Sequence, residues 1–70
     1  MITYSRKYQT EVEAIIKKLN MNGISTENVK SIEFKGGGDS VKFFMVELYN
    51  TSEPMVVEVT GENVEIVEES

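Results

Sequence analysis

The stretch Val29–Tyr49, VKSIEFKGGGDSVKFFMVELY, decides the fold. In its first part Ile32 and Phe34 alternate with Ser31, Glu33 and Lys35, the period of two expected of a half-buried strand. Lys35-Gly36-Gly37-Gly38-Asp39-Ser40 then breaks the pattern with a run of turn formers. Val41–Tyr49 resumes as a second strand, apolar on both faces. Two such strands on either side of a glycine-rich loop predict an antiparallel hairpin. Asn50–Pro54 ends the second strand, and Met55–Thr60 and Asn63–Glu68 read as two more, joined at Thr60-Gly61-Glu62-Asn63.

Upstream the period changes. Tyr8, Val12, Ile15, Ile16 and Leu19 fall at i, i+4, i+7, i+8 and i+11, one stripe of an amphipathic helix. The spacing predicts a helix over 5–21, with Ser5 or Thr3 capping its start and Gly23 after Asn22 ending it. The fold class is therefore α+β: one N-terminal helix packed on a four-stranded antiparallel sheet in the order α-β-β-β-β. It forms a single domain over residues 1–70, with no internal repeat or linker.

The phase of the strands bears on function. Phe44, Val46 and Leu48 point to one face of the second strand, and Phe43 and Met45 to the other. Val56 and Val67 are likewise out of phase with Val57, Val59, Val64 and Ile66. One helix covers one face of such a sheet, so Phe43, Met45, Val56 and Val67 predict an apolar patch on the second face, and such patches usually mark interfaces. The competing arrangement is a curled sheet whose two faces feed one core. Size favours the interface. A chain of 70 residues buries only about 60 % of its unfolded surface. With neither Cys nor His it has no disulfide and poor means of holding zinc. A homodimer, formed through this face or through an edge strand, is expected.

Absence of Cys fits a reducing compartment. Met1–Tyr8 has no apolar core of a secretory signal. The longest apolar run, Phe43–Val46, falls far short of the roughly 20 residues of a membrane span. A cytoplasmic location is expected. Six Lys against one Arg, with abundant Asn, Ile, Val and Glu, suggests coding in an AT-rich genome.

Charge is the chain's main statement about function. After Lys42 there is no basic residue, while Glu47, Glu53, Glu58, Glu62, Glu65, Glu68 and Glu69 follow. Residues 1–30 run the other way, with Arg6, Lys7, Lys17, Lys18 and Lys30 against Glu11, Glu13 and Glu27. The net charge of −5 thus joins a mildly basic half to a strongly acidic one. A local field of one sign steers partners of the other.

Chemistry has little to work with. The triple glycine lacks the spacing and the following helix of a phosphate-binding loop, and Asp39 beside it repels phosphate. Without His, acid–base catalysis would fall to carboxylates, Lys or Tyr, and Glu11 and Glu13 sit on opposite sides of the helix. Ser5, Ser25, Ser31, Ser40, Ser52 and Ser70 have no evident base. No catalytic residue, cofactor site or metal site is expected. Arg6, Lys7, Tyr8, Lys17 and Lys18 are read as solvated helix residues, because a nucleic-acid-binding domain is normally basic overall and this chain has a pI near 4.6.

Along a strand, residues on one face repeat every ~6.6 Å, so a rank of carboxylates there roughly imitates the phosphates of a DNA strand. The short chain without Cys or His, with its carboxylate-only C-terminal half, resembles the acidic DNA-mimic inhibitors among the host-takeover proteins of phages that infect Gram-positive bacteria, the kind that blocks the nucleoid protein HU. The resemblance implies a homodimer in a bacterial host cell whose acidic surface occupies the DNA-binding region of a basic, HU-like protein. It would itself bind no nucleic acid. The phosphate surrogates would be Asp39, Glu47, Glu53, Glu58, Glu62, Glu65, Glu68 and Glu69. Other readings stay open. The acids could serve solubility alone, and the apolar face could inhibit a different host or defence protein or join subunits of an assembly.

Overall fold

The computed structural model describes residues 2–68, with Glu68 described in its backbone only. A 3-10 turn, Arg6–Tyr8, leads into helix α1, Gln9–Met21. A second 3-10 turn, Thr26–Asn28, leads into strands β1 (Val29–Gly37), β2 (Val41–Leu48), β3 (Met55–Thr60) and β4 (Asn63–Glu68). The strands form one antiparallel sheet in the order β1-β2-β3-β4, the expected α+β meander. Among the described residues no helix is long and apolar enough to cross a membrane.

The helix begins differently from expectation. Neither Ser5 nor Thr3 caps it through a side chain. The 3-10 turn satisfies its own amides by backbone bonds, with the Tyr8 amide donating to the Ser5 carbonyl at 3.0 Å. Thr3 is taken by the sheet instead: its amide donates to the Lys30 carbonyl and its carbonyl accepts from the Ile32 amide, a parallel bridge beside Ser31. At the other end the expectation holds. The Gly23 amide donates to Asn20 and the Ile24 amide to Leu19, the paired bonds of a Schellman stop around a Gly23 φ of 84°.

The glycine-rich loop is shorter than its sequence predicts. β1 runs on through Gly36 and Gly37, which pair with Phe43 and Lys42, and only Gly38-Asp39-Ser40 turn the chain. Gly37 is required there. Its φ is 125°, and a Cβ on it would run into the Val41 carbonyl oxygen and lie 2.9 Å from the Lys42 Cα.

The core lies between helix and sheet. Val12, Ile15 and Leu19 of α1 are buried with Val29, Ile32, Phe44, Val46, Met55, Val57, Val59 and Val64. Each such side chain contributes roughly 1.5–3 kcal/mol when fully buried. Tyr8 closes one end, stacked on Phe34 with ring centroids 4.6 Å apart and edge-on to Phe44 at 5.5 Å. Every residue of this core on the strands comes from one face of the sheet.

Candidate protein-binding face

Directly opposed residues of antiparallel strands point to the same side, so the register assigns the second face row by row. One row runs Gly36, Phe43, Glu58, Glu65; the next runs Glu33, Met45, Val56; a third holds Ser31 and Glu47. Val67 belongs to the same side of β4, beside a register shift between β3 and β4. The expected patch of Phe43, Met45, Val56 and Val67 therefore exists as one surface. Met45 and Val56 at its centre are half-buried, Phe43 is 36 % exposed and Val67 54 % exposed.

Carboxylates ring this patch. Glu58 faces Glu65 directly across β3 and β4, while Glu33 and Glu47 lie on the β1 and β2 side. Glu33 was missed as a site residue, though the alternation that placed Ile32 and Phe34 inside would have put it on this face. It is partly neutralised by Lys35 at 3.6 Å. Among the described residues Glu47, Glu58 and Glu65 form no ion pair. Lys42, on the helix side of β2, is held by Glu11 at 3.7 Å.

Glu47 is fixed in direction. Ser31, only 8 % exposed, donates its hydroxyl to the Glu47 carboxylate at 2.8 Å. No base for Ser31 is evident in the sequence, and in the fold it meets a carboxylate; being buried, its hydroxyl serves as an anchor for Glu47 rather than as a presented nucleophile. Of the other predicted acids, Asp39, Glu62 and Glu53 lie not on the face but at its ends. Asp39 and Glu62 sit in the two turns at one end, where β2 starts opposite the last residue of β3. Glu53 lies in the connection at the opposite end, next to the start of β3. The backbone of Glu68 pairs with Val56, and Glu69 lies outside the described residues.

Two expectations thus fall on one surface. The apolar residues assigned to a dimer share a face with the surrogate acids Glu47, Glu58 and Glu65, so a second copy packed there would bring carboxylates against carboxylates. The edges differ as well. β1 carries the Thr3 bridge on its outer side, whereas among the described residues no strand pairs with the outer edge of β4.

Among the described residues no group of three acidic, His or Cys side chains is placed to hold a metal ion. Comparison with protein-family models, with curated proteins and with solved structures finds no match to this chain.

Proposed function

We propose that this chain is a non-enzymatic binding protein that presents its acid-rimmed sheet face to a basic, HU-like nucleoid protein of a bacterial host and excludes DNA from it. The observation that carries the reading is the Glu58–Glu65 opposition, with Glu33 and Glu47 on the same face and Asp39, Glu62 and Glu53 at its ends. Like charges directly opposite destabilise a sheet, and a cationic partner relieves that repulsion.

Magnitudes favour two copies. About 20 Å of duplex carries roughly 12 phosphate charges, more than the acids of one face and its ends supply. A second copy joined along the open edge of β4 would continue the sheet and keep both acidic faces exposed. It would double the net charge from −5 to −10. This edge, rather than the apolar face, is the proposed dimer seam.

The test uses purified HU, duplex DNA and the folded triple variant E58K/E62K/E65K. The wild-type chain is expected to displace DNA from HU, less so as salt rises, and the variant to displace none. A variant with native circular dichroism that competes as well as wild type would remove the DNA-mimic reading.

A further inference from the structure

A surface that imitated phosphates alone would need no apolar centre, yet this one has Met45 and Val56 in the middle row, with Phe43 and Val67 beside them. Phe43 is 36 % exposed, and its cross-strand partner on β1 is Gly36, which has no side chain to cover it. We propose that this face docks an amphipathic basic segment of a partner protein. The partner's apolar side chains and the stems of its Lys and Arg residues lie over Phe43, Met45, Val56 and Val67. Its cationic heads reach Glu33, Glu47, Glu58 and Glu65.

Three arguments select this occupant. Lys and Arg carry long apolar stems with the charge at the tip, so one segment satisfies an apolar floor and an acidic rim together. An arginine also stacks on an aromatic ring such as the exposed Phe43 while its guanidinium meets a carboxylate. A second copy fits worse on both counts of charge and area. Four strands spaced ~4.8 Å apart and about six residues long give a face of roughly 400 Å². Two such faces bury about 800 Å², below the ~1,200 Å² of a stable interface. A basic segment can run on beyond the face to Asp39 and Glu62 at one end or Glu53 at the other. The inference rests on the proposed function only for the sign of the partner's charge.

It predicts a binding component that survives salt. At about 1 M NaCl the Debye length falls to about 3 Å, and surface charge pairs are largely screened. The probes are purified HU and a synthetic peptide of alternating Lys and Val. With either probe, the methyl resonances of Met45, Val56 and Val67 are expected to shift and to go on shifting at that salt. The F43T/V56T variant, which keeps strand-forming residues, is expected to bind about tenfold more weakly there. The methyl shifts are read on the wild-type chain, so the proposal stays testable if the variant fails to fold. Methyls that stay still while the Asp39 and Glu62 turns respond would overturn it, as would complete loss of binding at about 1 M salt. Movement of the same methyls with protein concentration alone would show that a second copy is the occupant, and would overturn it too. If the peptide moves the methyls and HU does not bind, the HU reading fails and the docking face stands. If HU binds with the methyls unmoved, the reverse holds.

Discussion

Glu58 on β3 and Glu65 on β4 stand directly opposite each other on the sheet face that the helix leaves uncovered. A like-charged pair at that separation weakens the sheet by a few tenths of a kcal/mol, and an opposite pair strengthens it by a similar amount. The variant E65K should therefore stabilise the fold by about 0.5 kcal/mol. In a domain of this size that raises Tm by roughly 2–4 °C. The same change should weaken binding to a basic partner. Thermal denaturation and a binding titration on one sample check both. A fall in Tm would mean that the two carboxylates do not repel across the strands.

The hairpin between β1 and β2 depends on one of its three glycines far more than on its neighbour. G37A places a methyl group against the Val41 carbonyl at a φ that side chains rarely adopt. Strain of this kind costs of order 1–3 kcal/mol, and about 2 kcal/mol or more is expected here. G38A meets open space at a φ outside the left-handed range, and its effect should stay within about 0.5 kcal/mol. Urea titration of the two variants separates them, and equal midpoints would contradict the close approach at Gly37.

Tyr8 joins the helix entry to the sheet through its ring alone. It stacks on Phe34 and meets Phe44 edge-on, and among the described residues its hydroxyl makes no hydrogen bond. Y8A should cost about 2–3 kcal/mol, below the cost of a fully buried aromatic because Tyr8 is only half-buried. Y8F should be neutral to within about 0.5 kcal/mol. A large loss on Y8F in urea titration would show that the hydroxyl carries part of the contact.

The alternation of residues made the sheet legible in advance, because side-chain direction in a strand follows from parity alone. It assigned Phe44, Val46, Val57, Val59, Val64 and Ile66 to the core side and Phe43, Met45, Val56 and Val67 to the other. What stayed hidden depends on contacts distant in sequence. Thr3 bonds across to β1 instead of capping the helix, and nothing local to Thr3 signals that. The Ser31–Glu47 bond requires the β1–β2 register, which a shift of one residue would abolish. The count of acids along the chain points to its C-terminal half and passes over Glu33, and it carries no information that Asp39, Glu53 and Glu62 stand at the ends of the face.

The Ser31–Glu47 bond separates orientation from charge within the proposed site. S31A removes the donor but leaves the carboxylate, which is half open to water and can be partly resolvated. Its stability cost should therefore be about 1.5 kcal/mol, at the low end for a bond to a charged group. Glu47 would then lose its fixed direction, and a partner must order it on binding; affinity should fall by about twofold to fivefold, in line with about 0.5–1 kcal/mol for ordering one long side chain. E47Q keeps an acceptor for Ser31 and removes the charge. It should leave the urea midpoint nearly unchanged yet weaken binding at low salt, with the difference from wild type vanishing at about 1 M NaCl as screening removes the lost term. If S31A and wild type bind alike, Glu47 is a structural partner of Ser31 and not a contact for a basic protein. If E47Q is weakened equally at all salt concentrations, its role is shape and not charge.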